Sequence, residues 1–119
     1  MDDEAMLREL AAVMLPHLGY SIDTVKDGEE AIRSFCEAKE KGKPYDILIF
    51  DLGIPHGMGG EEAIREIRKI DPAARAIISS GSSESPWEGV ENIEGYQAVV
   101  NKPYTIQEID LALKQALGK

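Results

Sequence analysis

Basic residues are scarce in this 119-residue chain, where 13 Lys and Arg stand against 22 Asp and Glu for a formal net charge of −9. No basic run offsets that balance. A phosphate-neutralising surface for nucleic acid is therefore excluded, and a basic partner or a bound cation is expected instead. Cys36 is the single cysteine, which rules out an internal disulfide and a cysteine-based zinc site. Its place in a helical pattern reads as a small buried hydrophobe. No run approaches the ~18 apolar residues needed to span a bilayer, and nothing resembles a signal peptide, so a cytoplasmic protein without membrane contact is expected. Repeats, linkers and low-complexity tracts are also missing. With 43% hydrophobic and 29% charged residues, the length fits one domain over residues 1–119 with a single sizeable core.

Helical and strand-like patterns alternate along the chain. Asp3 is a candidate N-cap for a first helix carrying Met6, Leu7, Leu10, Val13 and Met14 up to Leu18, with Pro16 predicting a kink or early stop and Gly19 the end. Tyr20 to Val25 alternates loosely and reads as a short edge strand. Asp27 with Glu30 forms a capping box for a helix whose buried stripe is Ala31, Ile32, Phe35 and Cys36, and the mixed charges of Glu37 to Lys43 form its solvated end. Glu61 to Ile70 carries Ile64, Ile67 and Ile70 on one face until Asp71-Pro72. Ala76 to Ile78 and Ala98 to Val100 read as strands, with a weakly periodic stretch from Glu84 to Gly95 between them. Thr105 and Glu108 cap a last helix with Ile106, Ile109, Leu113, Ala116 and Leu117 facing inward. Such alternation specifies an α/β fold, a parallel sheet with helices on both faces.

The chemistry converges on Tyr45 to Gly60, YDILIFDLGIPHGMGG. Ile47 to Phe50 is a short apolar run suited to a strand buried on both faces, and it stops at Asp51 where glycines and a proline turn the chain out of the sheet. Open α/β sheets carry their sites at these carboxyl ends. The Ser79/Ser80 pair and Lys102 end two further strands at the same edge, and Asp2-Asp3 would join them if the chain before ran as a strand. Clustered carboxylates suit a hard cation such as Mg²⁺, and a lysine opposite can hold a phosphoryl group, so the set supports phosphoryl transfer by positioning and charge neutralisation.

In these residues the chain resembles the receiver domains of two-component response regulators. Asp51 with Leu-Gly-Ile-Pro-His-Gly-Met-Gly-Gly, Ser80-Gly81 and Lys102-Pro103 match that family in order and spacing. The resemblance implies a flavodoxin-like, doubly wound parallel sheet ordered 2-1-3-4-5. It further implies phosphorelay signalling, with Asp51 accepting a phosphoryl group from a histidine kinase or a histidine phosphotransfer protein. Asp2, Asp3 and Asp51 would hold Mg²⁺ with the carbonyl of Gly53, Ser80 would hydrogen-bond the phosphoryl oxygens, and Lys102 would pair with them. Such a domain assists its own phosphorylation and turns over no separate substrate. Its Ser-Gly and Lys-Pro-Tyr-Thr wording leans towards the receivers of hybrid sensor kinases. Two departures stand out. Only Met1 precedes Asp2, so the central first strand is missing or truncated; the chain was cut or numbered from an internal methionine, or the strand is replaced by rearrangement or a second chain. Val99 stands where the family often has a switch aromatic, and Tyr104 is no assured substitute. Bare inner strands predict a homodimer or low stability.

Rival readings use the same residues. A degenerate receiver would bind proteins without phosphorylation. A haloacid-dehalogenase-like phosphohydrolase wants a second Asp two residues after the first, where Gly53 stands. Asp2-Asp3 as a cap and solvated terminus, His17 and His56 as surface residues, and Trp87 as a core or partner contact are the plain structural readings.

Overall fold

The computed structural model of the chain describes residues 1–51, 59–80, 96–101 and 104–118, with only the backbone fixed at Ser80 and Asn101. The elements are α1 (Ala5–His17), α2 (Gly28–Glu40), β1 (Leu48–Asp51), α3 (Gly60–Ile70), β2 (Ala76–Ser80), β3 (Tyr96–Asn101) and α4 (Ile106–Leu117). Gly53, His56, Trp87, Lys102 and the weakly periodic stretch from Glu84 to Gly95 lie outside the described residues.

The apolar runs pair as expected. The three strands form a parallel sheet in the order β1-β2-β3. Phe50 is level with Ile78 and Asp51 with Ser79, while Ile78 meets Val99 and Ser79 meets Val100. An irregularity lies between Ala76 and Ile77, where Tyr96 and Ala98 are the successive partners and Gln97 is passed over. The Ala76 N–H donates to Gln97 Oε1 at 2.7 Å, so the side chain of the skipped residue supplies an acceptor where the ladder is interrupted.

Alternation along the strands separates two cores. Phe50, Ile78 and the half-buried Val99 pack with Ala31 and Phe35 of α2 and with Ala63, Ile64 and Ile67 of α3. Ile77, Ala98 and Val100, with Ile49 at their margin, pack with Ala11 and Leu15 of α1 and with Ile109, Ala112, Leu113 and Ala116 of α4. The helices thus cover both faces, as flavodoxin-like architecture requires. Each fully buried isoleucine, leucine or phenylalanine contributes about 1.5–3 kcal/mol relative to exposure, which makes these two seams the main source of stability.

The helix ends follow local chemistry. Asp27 Oδ1 accepts from Glu30 N, and Glu30 Oε1 accepts from Lys26 N, both at 3.0 Å, so the box at the start of α2 forms with its return bond one residue early. Thr105 accepts from Glu108 N at 3.1 Å. At the end of α1, Gly19 adopts φ +94°. There the Gly19 N–H donates to Pro16 O and the Tyr20 N–H to Leu15 O, both at 3.0 Å. This closes the helix in a left-handed cap that only glycine adopts without strain. Pro16 sits in the last turn and ends nothing prematurely.

Four expectations are corrected. The N-cap of α1 is Glu4 rather than Asp3, without a side-chain cap bond, because Asp2 Oδ1 takes the Glu4 N–H at 3.0 Å. Met6 (77% exposed), Leu10 and Val13 lie outward; α1 carries two apolar stripes, and the one with Ala11 and Leu15 joins the core that α4 also covers. Ile70 is exposed at the end of α3, where its carbonyl accepts from Lys39 Nζ of α2 at 3.2 Å while its side chain stays in solvent. Tyr20 to Val25 is no strand, although Tyr20 and Ile22 pack on one core and Val25 on the other. Among the described residues its backbone is joined towards the sheet by the bond from Asp2 N to Val25 O at 3.1 Å, and a single bond makes no ladder.

A side-chain bond ties that segment to the sheet. Tyr45 Oη donates to Asp23 Oδ2 at 2.6 Å. The bond to Asp23, then partial burial, raises the Tyr45 phenol from 10.0 to about 12. Its contribution to stability is therefore complete below about pH 10, the unfolded value, and is lost as pH rises through about 12. In an alkaline ultraviolet titration, one tyrosine is expected to ionise later than an ordinary phenol, and Tyr45→Phe removes that late step. Loss of an ordinary tyrosine step instead would refute the assignment.

Candidate functional site

A carboxylate at the end of an apolar strand is carried into the interior by its neighbours. Asp51, the last residue of β1, is 1% exposed. Beside it, residues 1 and 2 bridge β1 and the segment 20–25. The Met1 amine donates to Ile49 O at 2.7 Å, and the Asp51 N–H donates to Met1 O at 3.0 Å. These bonds flank one residue of β1 on either side, as in a parallel ladder, and the Asp2 N–H continues the pattern to Val25 O. The acidic pair therefore reaches the sheet edge that bears Asp51.

The charges there interact. Burial pulls the Met1 α-amino group from 8.0 to about 6, against the Asp2 and Asp51 carboxylates, which favour its charged form. Arg8 Nη1 donates to Asp2 O at 2.7 Å and pins the start of the chain. Carboxylate oxygens of Asp2, Asp3 and Glu4 lie within 4.8 Å of one another. Among the described residues this is the one such group, and its donors are all oxygen. That donor chemistry fits a hard divalent cation; the group differs from the expected set of Asp2, Asp3, Asp51 and Gly53 in that it contains Glu4 and does not contain Asp51.

Ser80 ends β2 and is level with Asn101, one position beyond the Asp51–Ser79 pair. Its backbone therefore lies at the same edge, and Lys102 follows Asn101 in the chain just past the described end of β3. Ser79 is buried.

Gly60 was read only as part of a glycine-rich turn, yet it sets the distance between α3 and the site. A Cβ there would lie 2.8 Å from Asp51 O and 2.9 Å from Phe50 Cβ. The Gly59-Gly60 doublet at the start of an amphipathic helix was the available sequence signal for this close approach. Glu4 gave no comparable signal, because it falls inside an ordinary helical start.

The model of the response regulator receiver domain family matches residues 1–114. The chain is 31% identical over 123 residues to the two-component response regulator PhoP of Pseudomonas aeruginosa, covering all of this chain and 50% of that protein. It is 30% identical over 117 residues to the chemotaxis protein CheY of Thermotoga maritima, covering 97% of this chain and 92% of the relative. Among solved structures, the response regulator TrrA of Thermotoga maritima in complex with Mg²⁺ and beryllofluoride superposes with a TM-score of 0.79 at 32% identity, covering 98% of this chain and 94% of TrrA. The chain spans about half the length of several curated relatives, PhoP among them.

The contact at Gly60 yields a direct expectation. In Gly60→Ala, the gain in helix propensity of about 1 kcal/mol opposes overpacking of about 1–3 kcal/mol. Overpacking prevails because the obstructing carbonyl belongs to a paired strand and cannot move alone. Urea unfolding should show a net loss of up to about 2 kcal/mol with an unchanged slope; equal or greater stability would contradict the close approach.

Proposed function

The chain belongs to the response regulator receiver domain family, and from that membership we propose that its part in phosphorelay signalling is to accept a phosphoryl group on Asp51. The observation that carries this reading is the position of Asp51, at the carboxyl end of β1, with Asp2 brought to the same edge through the bonds of Met1.

An Asp51 carboxylate oxygen attacks the phosphorus of a phosphohistidine. An O–P bond forms, the N–P bond breaks, and its electron pair returns to the departing imidazole. Asp2, Asp3 and Asp51, with the Gly53 carbonyl that the family resemblance assigns, would hold Mg²⁺, whose charge would offset that of the phosphoryl oxygens. TrrA is the relative whose complex with Mg²⁺ and beryllofluoride supports extending this chemistry here. In this reading the Ser80 hydroxyl donates to a phosphoryl oxygen and the Lys102 ammonium pairs with another. The phosphodonor is a histidine kinase or a histidine phosphotransfer protein in the cytoplasm. Turnover of a separate substrate, nucleic-acid binding and membrane contact form no part of the reading.

Incubation with Mg²⁺ and a small phosphodonor should add the mass of one phosphoryl group, and peptide mapping should locate it at Asp51. Asp51→Asn is expected to abolish the gain while leaving the protein folded. Uptake that persists in Asp51→Asn would refute the assignment, whereas absence of both Mg²⁺ binding and uptake would favour a phosphorylation-independent interaction module.

A further inference from the structure

Ser79 is a buried nucleophilic side chain that the proposed chemistry leaves without a task. It is 2% exposed, and its Oγ is sealed from solvent with no hydrogen-bond partner among the described residues. A buried hydroxyl in that condition costs about 1–3 kcal/mol relative to a satisfied one. An alanine or valine would pack at this position of β2 without that cost.

Its place in the sheet gives the hydroxyl a counterpart. Ser79 is the register partner of Asp51 on the adjacent parallel strand. Phe50 and Ile78 point into the core under α2 and α3, so the next residues, Asp51 and Ser79, point together to the opposite face. Val100, level with Ser79 on β3, belongs to the core under α1 and α4, which fixes which face that is. Asp51 Oδ2 is as fully buried as Ser79 Oγ. Adjacent strands lie about 4.8 Å apart, so in-register side chains on one face can meet by rotation about their own bonds.

Resting on the reading that Asp51 takes up a phosphoryl group, we propose that Ser79 is a positioning residue whose hydroxyl gains its acceptor when Asp51 is phosphorylated. A phosphoryl group on one carboxylate oxygen is too large to lie between paired strands about 4.8 Å apart, so it projects past the carboxyl end of β1. The other oxygen, which in that reading also faces Mg²⁺, keeps a second lone pair on the side of β2 and accepts there from the Ser79 Oγ–H. No covalent change occurs at Ser79. A donor without an acceptor in the resting protein and with one in the phosphorylated protein favours the latter, because only an interaction that differs between two states shifts their balance.

The test uses the full chain with Mg²⁺ and beryllofluoride, and separately with a small phosphodonor. Ser79→Ala should fold with equal or greater stability, yet bind beryllofluoride about tenfold more weakly, the factor of one hydrogen bond of about 1.4 kcal/mol, and lose its phosphoryl group faster. Ser79→Cys, which keeps the shape with a feeble donor, should behave like Ser79→Ala, and Ser79→Thr should restore affinity by restoring the hydroxyl. Parental affinity and phosphoryl lifetime in the alanine and cysteine variants would overturn the role of Ser79 while leaving Asp51 as acceptor. So would loss of stability in Ser79→Ala with unchanged affinity in Ser79→Cys. Failure of the parental protein to take up either group would overturn the Asp51 reading and this inference with it.

Discussion

A buried carboxylate at the end of a parallel strand is the constraint that organises this molecule. Asp51 is held almost out of solvent by an apolar strand that has cores on both sides, and an ionised group in that position requires opposite charge nearby. A cation drawn to neighbouring carboxylates would meet that requirement, and in the proposed reading Lys102 would add to it. The acidic balance of the whole chain points the same way. Twenty-two acids against 13 bases give a field that attracts cations to the molecule and leaves the choice of site to local geometry.

That geometry is rigid on one side and light on the other. Asp51 belongs to a ladder with β2, and α3 presses on its carbonyl through Gly60, so its backbone has little freedom. Asp2 is held by the Met1 bonds to β1, by its own bond to Val25 and by Arg8. Hydrogen bonds of this kind contribute about 0.5–1.5 kcal/mol each, far less than the buried apolar seams. The two halves of the site are thus built from different materials, one by packing and one by a few backbone bonds.

The same division decides what could be read in advance. Asp51 was legible because an apolar run of strand length stops there before glycines and a proline. The caps at Asp27 and Thr105 were legible because their chemistry is local. The inner face of α1 was not, since Met6, Leu10 and Val13 repeat at helical spacing as well as Ala11, Leu15 and Leu18 do; only the packing of the core shared with α4 and the sheet selects the second stripe. Tyr20 to Val25 misled for a related reason. Its alternation distributes side chains correctly between two cores, yet a strand is defined by a neighbour, and sequence pattern says nothing about whether the neighbour is present. Glu4 lay beyond reach because its role depends on what approaches it in space.

Rigidity at Asp51 and lightness at Asp2 together make a site whose occupancy and order are linked. Bringing Asp2, Asp3 and Glu4 within one small radius crowds like charges, which a few backbone bonds must hold against repulsion. Any cation that binds these oxygens relieves the crowding and strengthens the junction of residues 1 and 2 with β1 and Val25. By linkage, the free energy of that binding is then also free energy of folding for the folded state that alone assembles the cluster. In the proposed reading, a phosphoryl group at Asp51 would add negative charge to the same edge and raise the demand for the cation further, so that metal, phosphoryl group and residues 1–4 would be coupled through charge.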